Sequence, residues 1–140
     1  MEYRKRPGSP YFAALRIELG SGEVLTQARA LVDTGATKCV IPREDNERLL
    51  HFSKAGCDGK VDTALGEASY DWVVVPRMTL MMKREINIGP LYVTYALEET
   101  DLSLDNVEAW LGDDYMIGMN FIDKFDVTMS KAGIMTFRRD

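Results

Sequence analysis

The sequence predicts an all-β domain, a barrel or a sandwich of short strands with one or two short helices. Stretches of alternating apolar and polar residues recur along the chain, separated by turns rich in glycine and proline. The length of 140 residues suits one domain, and a hydrophobic fraction of 46% is sufficient for a core. Helix-like composition is limited to short segments, so strands must form most of that core.

The first third of the chain predicts an arm followed by a hairpin. Residues 1–10 contain two prolines and three basic residues, so we expect a flexible arm, followed by one domain over residues 11–140. Alternation over residues 15–19 predicts a strand with one buried face, and residues 20–22 predict a turn. The next strand, residues 24–32, ends in three apolar residues, which is typical of the middle of a sheet.

A short strand and a short helix are expected next. Residues 39–41 are apolar, and Pro42 suits the first position of a helix that continues over residues 43–50. We expect a loop at residues 56–59. Residues 61–75 predict a second hairpin.

The turn of this second hairpin is expected near Leu65, Gly66 and Glu67. Pro76 predicts a break or a sheet edge, because proline has no N–H for a strand ladder. Further strands are expected at residues 78–82, 85–88 and 91–97.

Residues 98–114 differ from the rest of the chain in charge. They contain seven Asp and Glu residues and no Lys or Arg, so we expect an excursion loop, with a helical turn near residues 104–111. The remaining elements are a strand from residue 116 that leads into a helix at 121–125, and strands at 126–129 and 133–137.

Composition excludes several classes of function. The net charge of −5 makes nucleic acid an unexpected main partner, because phosphate binding needs clustered Lys and Arg. His51 is the only histidine, so a Ser-His or Cys-His enzyme lacks its usual base. Cys39 and Cys57 make neither a disulfide framework nor a zinc motif, and we expect no metal and no cofactor. Carboxylates are left for any catalysis.

The sequence also bears on membranes and location. It contains no apolar run near the ~20 residues of a membrane-spanning helix, so we expect no membrane association. The first ten residues are polar and lack the apolar centre of a secretory signal, so we expect a cytoplasmic protein.

The most informative segment places an acid directly after a buried strand. Asp33 follows Leu31 and Val32, and an ionisable group at such a point is costly unless it meets a partner or a solvated cleft. Gly35 permits a close backbone approach or a dihedral that a Cβ would forbid. Thr34 can hold the turn by hydrogen bonding.

Two segments together resemble the retropepsin-like aspartic proteases, the single-domain class that includes retroviral proteases and bacterial relatives. The first is Leu31-Val32-Asp33-Thr34-Gly35-Ala36-Thr37, similar to the apolar-apolar-Asp-Thr-Gly-Ala-Thr/Ser of that family. The second is Met116-Ile117-Gly118-Met119-Asn120-Phe121-Ile122, similar to its apolar-apolar-Gly-x-Asn/Asp segment. The resemblance covers roughly residues 11–138, with the hairpin around Gly66 at the place of the flap.

The resemblance implies a closed β-barrel and an aspartic endopeptidase that is active as a two-fold homodimer. The chain has one Asp-Thr-Gly, so the dyad would need Asp33 from each of two chains. Thr34 would bond across the axis, and Gly35 would lie near the water and the substrate. The terminal strands would interleave at the dimer interface.

The same resemblance implies how a substrate binds. A peptide or protein would enter as an extended strand over the cleft floor at Ala36, beneath the flap tip. That tip would be formed by Leu65, Gly66 and Glu67.

Two other functions remain open at this point. The chain could be a catalytically silent dimerisation or peptide-binding module of the same fold, because a fold persists after activity is lost. It could also be a monomeric regulatory domain, in which two Asp33 residues never meet. The intact Asp-Thr-Gly-Ala favours the enzyme. Gly118 and Asn120 are expected to serve packing and turn geometry, without direct chemistry.

Overall fold

The chain is built almost wholly of β-strands in a computed structural model that describes residues 2–4, 10–63, 66–90, 92–98 and 100–139. The strands are β1 (Glu2–Arg4), β2 (Phe12–Glu18), β3 (Val24–Val32), β4 (Cys39–Pro42), β5 (Lys54–Thr63), β6 (Gly66–Gly89), β7 (Tyr92–Glu98), β8 (Ser103–Gly112), β9 (Met116–Ile117), β10 (Asp126–Met129) and β11 (Ile134–Arg138). The helices are α1 (Arg43–Asp45), which continues into a π-helical turn (Asn46–Leu50), and α2 (Met119–Ile122). The all-β prediction with one or two short helices is confirmed.

The larger of two sheets contains eight strands. Seven follow the order β2-β3-β9-β4-β8-β6-β5, and β7 pairs with β6. Strand β6 also pairs with β2, so the path of paired strands returns to the strand where it began. Leu15 and Ile17 of β2 are fully buried while Arg16 between them is half-buried, as the alternating sequence predicts.

Both predicted hairpins are present. Strands β2 and β3 are joined by a turn in which Gly22 has a φ of +93°, a conformation that side chains with a Cβ rarely adopt. Strands β5 and β6 pair antiparallel as far as Thr63 and Gly66, and the residues that join them lie outside the described residues.

The acidic segment 98–114 is not an excursion loop, and the helical turn expected in it is absent. Most of it is β8, which pairs with both β4 and β6 inside the larger sheet. Val107 and Ala109 are buried in the core, whereas Asp105 is exposed and ion-paired to Arg77 on β6 at 2.8 Å. The prediction was wrong because the two acids that lie in β8, Asp105 and Glu108, are more exposed than the buried apolar residues of the same strand.

The loop predicted at residues 56–59 is also a strand. These residues belong to β5, where Cys57 pairs with Asp71 and Asp58 pairs with Tyr70 of β6. The register shifts on both sides of this stretch, so the glycines that suggested a loop lie at strand irregularities instead.

Pro76 does not break its strand. Strand β6 runs through it because the pairing with β8 skips the proline: Val75 pairs with Val107 and Arg77 with Asp105. The missing N–H therefore removes no bond from the ladder.

The smaller sheet joins the two ends of the chain in the order β1-β11-β10. Residues 2–4 are therefore a strand and not part of a flexible arm, while residues 5–9 of the expected arm lie outside the described residues. Tyr3 accounts for the difference, because it is a buried aromatic within a basic stretch. Its hydroxyl donates to the Met81 carbonyl at 3.2 Å, and its ring packs edge-on against Phe137.

One apolar core is shared by the larger sheet, the smaller sheet and α2. Its largest fully buried side chains include Phe121, Phe137, Leu15, Ile41 and Met78. In the described part of the chain, the helices are all too short or too polar to cross a membrane.

Candidate active site

Asp33 lies at the end of β3, where the strand leaves the core. Short β9 lies between β3 and β4, and Leu31 and Val32 pair in parallel with Met116 and Ile117. The backbone N–H of Asp33 donates to the Ile117 carbonyl at 3.0 Å. The two segments that carry the family resemblance are therefore hydrogen-bonded neighbours, and together they fix the backbone that carries the carboxyl group.

The backbone of the Asp33 turn, residues 33–36, holds the Asp33 carboxylate by a hydrogen bond. The N–H of Gly35 donates to Asp33 Oδ1 at 2.8 Å, and the N–H of Ala36 donates to the Asp33 carbonyl at 3.2 Å. A Cβ on Gly35 would lie 3.1 Å from the same Oδ1. Gly35 does not have a positive φ, so the close approach, and not the dihedral, accounts for glycine here. Thr34 is exposed at the turn.

Gly118 and Asn120 lock this turn to the neighbouring strands. A Cβ on Gly118 would overlap the backbone oxygen of Lys38, so only glycine fits between β9 and the chain that leaves the Asp33 turn. The Asn120 side chain accepts a bond from the Cys39 N–H at 2.8 Å and donates to the Glu108 carbonyl at 2.7 Å. These contacts agree with the packing and turn role that the sequence predicts for both residues.

We expect Asn120→Ala to lower the free energy of unfolding by about 2–3 kcal/mol, because the Cys39 N–H and the Glu108 carbonyl lose their partner. Equilibrium denaturation in urea measures the change. Gln27→Ala, at an exposed strand position, is the matched control and should stay within about 0.5 kcal/mol of wild type. If Asn120→Ala lost no more stability than the control, the two hydrogen bonds of Asn120 would not hold the neighbouring strands together.

The turn opens into a cleft of about 540 Å³. Asp33, Gly35 and Ala36 form part of its lining. The other lining residues are Thr37, Val40, Arg43, Tyr70, Trp110, Leu111, Gly112, Asp113, Asp114 and Met116. The site is thus a carboxylate at one side of a groove that both polar and apolar side chains line.

The expected flap tip is placed only in part. Gly66 and Glu67 begin β6, paired with Thr63 and Asp62 of β5, while Leu65 lies outside the described residues. The hairpin exists, and its role in binding stays a prediction.

Sequence reasoning missed the aromatic wall of the cleft. Tyr70 and Trp110 stack with ring centroids 5.7 Å apart, although they are forty residues apart on β6 and β8. Arg43 and the exposed pair Asp113 and Asp114 were also missed. Once β8 is recognised as a strand, its end at Gly112 places the two acids at the cleft, but no local motif marks the aromatic pair.

Two carboxylates near the cleft are already engaged by hydrogen-bond donors. The hydrogen bond from Trp110, and after it the bond from Lys38, lowers the pKa of Asp58. The hydrogen bond from Lys54 lowers the pKa of Asp71. Both groups are ionised at neutral pH, and an ionised carboxylate accepts bonds but has no proton to donate. Asp58, which precedes Gly59, is therefore bound and not available as a second catalytic acid.

No cluster of three or more His, Cys, Asp or Glu within the described ranges has an arrangement that could hold a metal ion. The chemistry that this arrangement offers is that of a carboxylate held by a backbone N–H at the side of a groove. Such a group can take a proton from a bound water in its ionised form, or give one to a substrate oxygen in its protonated form.

Comparisons with known proteins bear on the fold and the family. The chain is similar to the solved structure of a retropepsin-like aspartic protease from Rickettsia conorii, with 13% sequence identity and a TM-score of 0.59. The similarity covers 98% of this chain and 88% of that one, and at this identity it shows the fold alone. The fold and the Asp33 turn thus define a retropepsin-like domain.

The family follows from a separate match. A family model described as aspartyl protease matches residues 15–121, which is more than half of the chain. The chain therefore belongs to the aspartyl protease family. None of the curated proteins matches it.

Proposed function

We propose that this protein is an aspartic endopeptidase in which Asp33 from each of two identical chains activates one water molecule. The observation that carries the proposal is the carboxylate of Asp33, held by the Gly35 N–H at 2.8 Å at the side of a cleft of about 540 Å³. A cleft of this volume beside the carboxylate is in the range of ligand-binding sites, and a turn that only closed a strand would have no need of it.

Two chains are needed because each supplies one half of the dyad. The sequence contains a single Asp-Thr-Gly, and Asp58, the other acid considered for this role, is bound by Lys38 and Trp110. A two-fold axis beside the turn would bring each Asp33 against its twin. Thr34 is exposed and makes no side-chain hydrogen bond within the part of the chain that the structure describes, which leaves its hydroxyl for the partner's turn.

In such a dimer the two carboxylates share one proton, because like charges a few ångströms apart do not both ionise easily. The ionised Asp33 takes a proton from water, and the water attacks the scissile carbonyl. The protonated Asp33 of the partner subunit supports the oxygen on which charge develops. The two chemically identical carboxyl groups thus act as base and acid because they share a single proton, and the reaction needs no covalent intermediate.

The substrate in this proposal is an extended peptide segment. Ala36 on the cleft floor and the hairpin tip at Leu65, Gly66 and Glu67 would enclose it from two sides. Main-chain hydrogen bonds would hold the peptide as an added strand, and alternate side chains would enter the pockets of the cleft.

Cleavage of a diverse peptide library tests the proposal. We expect the wild-type protein to cut internal peptide bonds between roughly pH 4 and 8. Pepstatin should inhibit this cleavage, and the Asp33→Asn variant should lack it. Binding of peptides without cleavage would identify a silent binding module instead. Neither cleavage nor binding, with a strictly monomeric species in sedimentation, would point to the monomeric regulatory domain.

A further inference from the structure

Trp110 is held in the wall of the cleft by a carboxylate from the β5–β6 hairpin. Trp110 is 9% exposed and its ring stacks on Tyr70, and both residues line the groove that contains Asp33. Its indole N–H donates to Asp58 Oδ2 at 2.5 Å. A tryptophan with its polar end fixed in this way presents one defined ring face to the groove.

The same carboxylate oxygen binds a cation that follows the Asp33 turn. Lys38 donates to Asp58 Oδ2 at 3.1 Å, and its ammonium lies 4.5 Å from the ring centroid of Trp72 and 6.0 Å from that of Trp110. Lys38 is also 3.9 Å from Glu108 on β8. Asp58 therefore joins three pieces of chain: β5 of the hairpin, the segment just after the Asp33 turn, and β8.

A close fit of backbone and ring keeps β5 at this junction. A Cβ on Gly56 would lie 2.6 Å from the Trp72 ring, so β5 passes directly over that ring only because residue 56 is glycine. Lys38 packs against the same ring. The Lys38 and Asp58 side chains are 20% and 33% exposed, which shields their bond in part from water and salt.

We propose that Asp58 is a positioning residue for substrate binding, which fixes Trp110 as the wall of a subsite for a large apolar side chain of the peptide. The inference rests on the proposed peptidase function. Asp58 itself touches neither the reacting atoms nor the Asp33 turn. Its loss frees the Trp110 ring, so the groove binds the substrate side chain less well while the chemistry at Asp33 is unchanged.

The test compares two peptides that differ at one residue beside the scissile bond, phenylalanine in one and alanine in the other. Four variants are measured in the full-length protein: Asp58→Ala, Asp58→Asn, Tyr70→Ala and Trp110→Phe. Asp105→Ala is the matched control, because it also removes an ion-paired carboxylate from the larger sheet but lies outside the cleft. The readout is kcat/KM for the phenylalanine peptide divided by kcat/KM for the alanine peptide.

We expect Asp58→Ala to lower this ratio at least about fivefold. The cause should be a higher KM for the phenylalanine peptide, with kcat unchanged. Asp58→Asn keeps one acceptor oxygen for the indole N–H and should recover part of the ratio. Tyr70→Ala and Trp110→Phe should lower it as well, and Asp105→Ala should leave it at the wild-type value. A variant that was merely less stable would lose activity on both peptides alike, so an unchanged ratio in the Asp58 and Trp110 variants would overturn the inference.

Equilibrium binding of the same two peptides to an Asp33→Asn protein separates this inference from the proposed function. If wild type cuts nothing, but Asp33→Asn prefers the phenylalanine peptide and loses that preference with Asp58→Ala, the positioning role stands and the peptidase does not. If wild type cuts both peptides at a ratio that no variant changes, the peptidase stands and the positioning role does not. Absence of binding and of cleavage overturns both.

Discussion

Asp33→Asn is expected to reduce peptide cleavage by about 1,000-fold or more, because the substituted amide neither takes the proton of the attacking water nor shares one with its twin. The fold should survive. An asparagine oxygen still accepts the Gly35 N–H bond that the structure shows at 2.8 Å, and the side chain has the same shape. Steady-state kinetics on a cleaved library peptide measure the loss, and thermal unfolding checks the fold.

The control for this result is Asp101→Asn, an exposed acid outside the cleft, which should keep wild-type activity. The two variants change the net charge equally, so a difference between them reports on position. Residual activity of Asp33→Asn within about tenfold of wild type would rule out Asp33 as the group that activates water.

Gly118→Ala is expected to lower the free energy of unfolding by about 3 kcal/mol or more and to lower activity with it. The added Cβ would overlap the Lys38 carbonyl oxygen and lie 3.0 Å from that of Ala36. Both atoms are backbone and cannot rotate away, so the turn that carries Asp33 must shift. Urea denaturation and kcat on the same preparation measure the two effects.

Gly20→Ala provides the comparison, since nothing lies within 4 Å of a Cβ at that turn and its φ is not positive. We expect it to change stability by less than about 0.5 kcal/mol. If Gly118→Ala proved as mild as this control, the close packing of β9 against the Asp33 turn would not be what positions Asp33.

The parts of the fold that the sequence predicts are those with local signals. The strand at 24–32 ends in an apolar run, and the turn at Asp33 follows it directly. Buried alternate residues predict β2, and a glycine turn predicts its hairpin with β3. Each of these features depends on residues close together in the chain, so pattern alone suffices.

In the acidic segment 98–114, the pattern of charged residues predicts the wrong structure. Seven acids suggest a solvated loop, yet Val107, Ala109 and Leu111 are buried on the inner side of β8. The inner face is recognisable only when β4 and β6 are known to lie on either side, because flanking strands decide which residues are buried.

The residues of the site also fall into those that a local motif predicts and those that it does not. Asp33 and Gly35 are close in sequence and carry a motif, so they are predictable. Trp110 meets Tyr70, and Asp58 meets Lys38, across separations of forty and twenty residues. Such contacts depend on the register of three strands, which a single sequence does not determine.

A mixing experiment decides whether one active site takes an Asp33 from each of two chains. Wild-type and Asp33→Asn proteins are combined at constant total concentration, allowed to exchange subunits, and assayed on one cleaved peptide. In an equal mixture only the dimers with two intact Asp33 residues should cut, so we expect about one quarter of the wild-type activity. A value of about one half, with activity proportional to the fraction of wild type, would mean that each chain works alone and would rule out an active site shared by two chains.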